Sequence, residues 1–185
     1  MLKLLSALLL IGYPGLMYFG FELFEPKYLT VIVFAAVLLG RFAGATTPVQ
    51  TFGGALLIVP VCLYLIVSVI SNEEWVVRLY PAVMSFSMAA LFISSLFSPM
   101  PVIERIARLS EPDFPPEGVR YTRVLTWVWV VFLLTNAMIA TWTALWATRE
   151  TWALYNGVIS YICIGMLMVF EYPVRRWYRA RYATR

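Results

Sequence analysis

Residues 124–147 read VLTWVWVVFLLTNAMIATWTALWA, an uncharged run longer than the stretch of about 20 residues that a helix needs to cross a bilayer core. A soluble domain cannot easily use such a run, because no face of it is polar enough to meet water. Working outward, the same pattern recurs at about 2–24, 28–43, 52–71, 79–97 and 152–170. The segment 28–43 is the shortest and ends beside Arg41, whose apolar stem can snorkel toward the headgroups. The composition agrees: of 185 residues, 62% are hydrophobic and 13% charged, against about a quarter charged in soluble proteins. The expected fold is an all-α, polytopic integral membrane protein with six transmembrane helices in one domain, 1–185. Lys3 followed by LLSALLLIG imitates a secretory signal, but the apolar run continues through Leu16–Phe19 with no small-x-small cleavage site. The first helix is therefore expected to stay uncleaved.

Upstream of the opening run lies the longest polar stretch, SPMPVIERIARLSEPDFPPEGVRYTR, residues 98–123. Pro99 and Pro101 end the fourth span, since proline cannot continue a helix interior. VIERIARL, residues 102–109, places Val102, Ile103, Ile106 and Leu109 at helical spacing, with Glu104, Arg105 and Arg108 on the other side. That is a short amphipathic helix suited to the membrane interface, with Glu104 and Arg108 four apart. SEPDFPPEG, residues 110–118, holds three prolines and a glycine and reads as an irregular loop. Its carboxylates Glu111, Asp113 and Glu117 read as solvated charges before they read as an acid/base or metal cluster. Arg120 and Arg123 fall on the first turn of the fifth span, with Tyr121 and Thr126 facing inward.

Charge orients the bundle. With both termini in the cytoplasm, that side holds Lys3, Arg41, Arg105, Arg108, Arg120, Arg123, Arg175, Arg176, Arg179, Arg181 and Arg185. The opposite side holds only Lys27, Arg78 and Arg149 of the 14 basic residues. The carboxylates divide evenly. A basic asymmetry without an acidic one is the positive-inside pattern, so the topology is read as N-in and C-in, with a short cytoplasmic interfacial helix between spans 4 and 5 and a basic cytoplasmic tail, 171–185. The expected location is the bacterial inner (cytoplasmic) membrane. A five-span arrangement lacking the second helix would put Lys3 outside and keep the C-terminus inside, so charge leaves it open. Trp75, Trp146 and Trp152 sit near the outer span ends, and Trp177, Tyr178 and Tyr182 follow the last span, as interfacial anchors.

The absence of histidine excludes Ser-His-Asp and Cys-His nucleophile pairs and His-ligated metals. Cys62 and Cys163 lie in apolar runs without a CxxC spacing and read as small packing residues. No catalytic, cofactor-binding or metal-ligating residue is assigned, no cofactor is expected, and no nucleic-acid partner is read from the net charge of +4. Glu104, Arg105, Arg108, Arg120, Arg123, Arg175 and Arg176 are the candidate docking and headgroup residues. Glu171 and Arg175, four apart, read as a local ion pair. Asn136, Asn156 and Tyr161 are the candidate intramembrane polar residues; an amide in hydrocarbon needs a partner on another helix or lines a path. Ser85, Ser87, Ser94, Ser95 and Ser98, with Ala89 and Ala90, suit close packing of the fourth span.

The stretch PVIERIARLSEPDFPPEGVRYTRVLTWVW, then Asn136, TWALYNGVISY and EYPVRR, resembles a family of small, functionally uncharacterised bacterial inner-membrane proteins, chiefly over Pro101–Arg176. Members are often encoded in gene clusters for aryl-polyene-type or fatty-acid-like synthesis, among ketosynthases, acyl carrier proteins and acyltransferases. Some members carry a DNA gyrase label; nothing in this chain resembles a topoisomerase. The resemblance implies a pathway neighbourhood and supplies no catalytic residue. It implies a non-enzymatic accessory factor for synthesis or export of an acyl or polyene-type lipid, with membrane lipids and an acyl carrier protein or lipid-synthesis enzymes as partners. The residues leave two alternatives open: a small lipid or metabolite transporter or flippase, and a membrane acyl or glycosyl transferase. Oligomeric state is not legible.

Overall fold

The computed structural model of the chain describes residues 12–32, 35, 48–110 and 116–182. All regular structure among them is helical: α1 Tyr13–Gly20, α2 Pro48–Ser71, α3 Glu74–Arg78, α4 Tyr80–Leu96, α5 Val102–Ser110, α6 Pro116–Trp146, α7 Arg149–Leu154, a π-helical turn Tyr155–Ile159, and α8 Ser160–Tyr182. Residues 26–32 are also helical. Among the described residues three helical stretches are long and apolar enough to cross a membrane: Glu74–Leu96, Gly118–Trp146 and Arg149–Tyr178. A shorter apolar helix covers Val59–Ser71. The chain therefore has the make-up of a membrane protein. The first half of the expected first span, most of the second, and Glu111 and Asp113 lie outside the described residues.

The centre of the bundle is the pair α4 and α6, joined on α4's other side by α2. Small residues make this closeness possible. Ala82, Ser85 and Ala89 of α4, and Ala137, Ala140 and Ala144 of α6, are buried and recur every three or four residues. That spacing keeps them on one face of each helix, and without large side chains the backbones approach closely. Ala90 points outward instead. A second cluster gathers where α6 turns into α7, here called the hairpin end. Met17, Leu29, Val61, Leu65, Val77, Tyr80 and Trp152 pack together there.

Several element ends differ from the sequence expectation. α1 stops at Gly20, and the amides of Leu23 and Phe24 both reach back to the Gly20 carbonyl. A Cβ on Gly20 would lie 2.7 Å from Leu29 Cδ2; the missing side chain lets residues 26–32 fold back against α1. α2 ends on Asn72 at φ 52°, a left-handed position that asparagine tolerates. The Asn72 side chain binds the Lys27 amide at 3.0 Å and Glu25 at 3.3 Å, and Lys27 holds the Glu25 carboxyl below its ordinary pKa. The helix α6 already begins at Pro116, within the segment expected to be irregular; residues 111–115 lie outside the described residues. Proline suits a first helical turn, where its missing N–H would have no partner. The expected tail is helical through Tyr182 despite Pro173.

Candidate functional site

At the hairpin end the described structure is organised by Arg78. Its side chain is buried, and Nη2 donates to the carbonyls of Thr143 and Ala147 at 2.7 Å each and of Thr148 at 3.4 Å. These oxygens lie at or just past the C-terminal end of α6, where the helix dipole is negative; those of Thr143 and Thr148 also accept the amides of Ala147 and Trp152. The indole of Trp152 donates to the Arg78 carbonyl at 2.9 Å, and its ring lies 5.7 Å from the guanidinium carbon. Trp152 is thus a core residue at 0% exposure, which corrects the anchor reading. Trp75 and Trp146 remain exposed as anchors would be. Arg149 forks onto Glu74 at 2.7 and 2.5 Å and ties α7 to α3.

Mid-bundle, Asn136 joins three elements. Its Nδ2 donates to Ser85 Oγ at 3.0 Å, and its Oδ1 accepts from Tyr155 OH at 2.9 Å. Asn156 does not meet Asn136. It donates to Thr143 Oγ1 at 3.2 Å and to the Trp152 carbonyl at 2.9 Å. The π turn holds this arrangement: the Ser160 amide reaches the Tyr155 carbonyl, and Ser160 Oγ donates to the Asn156 carbonyl at 3.1 Å. Such turns commonly re-aim side chains at specialised positions. Tyr161 stands apart, 39% exposed and without a hydrogen bond among the described residues. Ser94, Ser95 and Ser98 bond carbonyls of their own helix end. Asn136 and Asn156 are therefore engaged in holding helices together, while the serines cap their own helix end.

Asn136→Leu is expected to cost about 1 kcal/mol, the scale of hydrogen bonds between membrane helices. Adding Ser85→Ala to that variant should cost almost nothing more. Unfolding by SDS titration in bicelles, as a double-mutant cycle, checks both.

The opposite end, where α5 sits, holds the expected docking residues in two separate states. α5 is pinned rather than afloat: the Val102 amide donates to Ser95 Oγ at 3.1 Å, and Arg105 Nε donates to the Met100 carbonyl at 2.9 Å. It rests on α6. The amphipathic assignment is rotated. Glu104 is 2% exposed, whereas Ile106 and Leu109 are 50% and 64% exposed. The reason is pairing: Arg108 Nε and Nη2 both donate to Glu104 Oε1, at 2.9 and 2.8 Å. Glu104 Oε2 has no partner among the described residues. Glu104 is therefore not on an open docking face.

Arg120, Arg123 and Arg176 are exposed and Arg175 is half-buried. The expected Glu171–Arg175 pair is absent: Glu171 Oε1 accepts from Tyr121 OH at 3.0 Å. Tyr121 also stacks on Tyr178, with centroids 4.9 Å apart. These contacts clasp the start of α6 to the end of α8. Among the described residues, none of Arg120, Arg123, Arg175 and Arg176 makes an ion pair or hydrogen bond.

Among the described residues no group of three His, Cys, Asp or Glu side chains could hold a metal ion. Cys62 and Cys163 are half-buried free thiols. No family model, curated protein or solved structure matches the chain.

Proposed function

We propose that the chain is a non-enzymatic accessory factor of the bacterial inner membrane, with six spans and both termini in the cytoplasm, that assists synthesis or export of an acyl or polyene-type lipid. One observation carries this reading. The two intramembrane amides, Asn136 and Asn156, bind side chains of other helices, while arginines without an ion pair or hydrogen bond among the described residues gather at the α5 end. That distribution suits a rigid platform that meets its partners at the membrane surface, and it leaves no clustered acid, base and nucleophile among the described residues. The resemblance over Pro101–Arg176 supports the pathway assignment, and the basic asymmetry supports the orientation. The partners in this reading are membrane lipids and an acyl carrier protein or lipid-synthesis enzyme.

The lipid profile of a deletion strain tests it. The expected result is a reduced acyl or polyene product, while the individual conversions run normally in membranes from that strain. Normal synthesis with product trapped at the inner leaflet would replace this reading with a transporter or flippase. Loss of one conversion, reproduced by Glu104→Gln, would replace it with a transferase.

A further inference from the structure

We propose that the clasped ends of α6 and α8 form a binding site for the headgroup of an anionic phospholipid, built from Arg120, Arg123, Arg175 and Arg176. The proposal rests on the orientation given above only for the leaflet, which is the inner one.

Register and length carry it. The Tyr155–Asn136 hydrogen bond from the π turn and the Tyr121–Glu171 hydrogen bond from α8 tie this stretch to α6 at two levels, in antiparallel order. α6 runs from Pro116 to Trp146, about 46 Å at 1.5 Å per residue, whereas the hydrocarbon core is about 30 Å thick. With the exposed Trp146 at one interface, about 20 residues of α6 reach the other near Thr126. Arg123 and Arg120 then lie about 5 and 9 Å beyond it. Counted the same way from Glu150, α8 leaves the core near Phe170, and Arg175 and Arg176 lie about 8 and 9 Å beyond. The polar layer of one leaflet is about 5–8 Å deep. Flexible stems allow all four guanidinium groups to reach phosphate level.

Chemistry and surroundings agree with that depth. A guanidinium offers a planar fork of donors that fits phosphate oxygens. Tyr121 OH holds the one described carboxylate on α8, Glu171, by its Oε1, and no ion pair joins Glu171 to Arg175, so the Arg175 guanidinium keeps its donors for a phosphate. Phe170, Tyr172 and Trp177 are exposed on the same stretch of α8, where aromatic rings favour the interface. Arg123 lies within that layer and the other three at its outer edge, where bent side chains meet phosphates, and the exposed aromatic rings beside them place the cluster at the interface rather than clear of it, which favours lipid.

Native mass spectrometry of the detergent-purified full chain, titrated with phosphatidylglycerol or phosphatidylcholine, tests the site. Wild type is expected to hold phosphatidylglycerol at least tenfold more tightly. R120Q/R123Q/R175Q/R176Q should bring the two lipids within about twofold, whereas K27Q, at the hairpin end, should change nothing. The pairs R120Q/R123Q and R175Q/R176Q, which alter unpaired side chains, should each lose part of the preference with unchanged helix content. Equal binding of both lipids by wild type, or an unaltered preference in the quadruple variant, overturns the proposal. Arginine-dependent binding of an acyl carrier protein without a phosphatidylglycerol preference overturns it in favour of protein docking. A C-terminal reporter fusion separates the readings: a periplasmic C-terminus sinks the proposed topology and the inner-leaflet assignment, whatever the lipid preference. Full complementation of the deletion strain by a quadruple variant that has lost the preference sinks only the link between this site and lipid synthesis.

Discussion

Arg78→Met should destabilise the folded chain by about 4 kcal/mol, the largest loss expected of any change proposed here. The native guanidinium binds carbonyls of Thr143, Ala147 and Thr148 through Nη2, and charged hydrogen bonds contribute about 1.5–3 kcal/mol each. The net loss is smaller than their sum for two reasons. Arg78 Nε is buried without a partner among the described residues, so methionine removes one existing penalty. Peptide groups in the unfolded state within a membrane also find other partners. SDS-titrated unfolding in bicelles measures the loss, and a change under about 1 kcal/mol would contradict the role assigned to Arg78. Arg78→Lys should recover roughly half, because an ammonium reaches fewer carbonyls than the guanidinium fork does.

Trp152 gives the same junction a second handle. Trp152→Phe keeps most of the ring but removes the donor to the Arg78 carbonyl. The expected loss is about 1–2 kcal/mol, mainly the cost of an unpaired buried carbonyl. Because Trp152 and Arg78 touch, the two substitutions should be less than additive. An additive pair would mean that the tryptophan and the guanidinium stabilise the junction independently.

The three long apolar helices were legible because hydrocarbon imposes a composition that no local rule can hide. VLTWVWVVFLLTNAMIATWTALWA announces its helix by the lack of charge alone, and VIERIARL announces α5 by its spacing. Side-chain partners were far less legible. Arg78 reads from sequence as an outer-loop charge, because the four polar residues Ser71–Glu74 lie just upstream of it and hydropathy says nothing of a distant helix end. Its carbonyl partners are 65 or more residues away. Trp152 has an anchor's composition and a core residue's position, and only the packing of α1 and α3 around it separates the two. Glu171 has Arg175 at the right spacing, yet Tyr121 from another helix wins its carboxylate. Local spacing ranks local partners; it cannot rank a phenol that arrives from 50 residues away. The arginines at the end of α8 were visible as a basic run, but their depth became calculable only when α8 proved continuous through Pro173.

Arg108→Met is the second large effect, at about 3 kcal/mol, and its sign pattern is the more telling one. Glu104 is 2% exposed, and among the described residues the hydrogen bonds on its carboxylate come from Arg108 alone. Removing the arginine leaves a buried carboxylate with neither charge nor donor to meet it, a situation that typically costs about 3–5 kcal/mol. The low end applies because the Arg108 side chain is 32% exposed, so water can partly replace it. The double variant Glu104→Met/Arg108→Met should return to within about 1 kcal/mol of wild type, since desolvating an ion pair costs nearly what the pair returns. Glu104 Oε2, already without a partner among the described residues, moves the balance further toward the apolar pair. Unfolding of the two single variants and the double variant decides the matter. A double variant as unstable as Arg108→Met would mean that the ion pair is not the source of the loss. Recovery in the double variant would show that the loss in Arg108→Met comes from the unpaired buried carboxylate and that the ion pair itself adds little net stability.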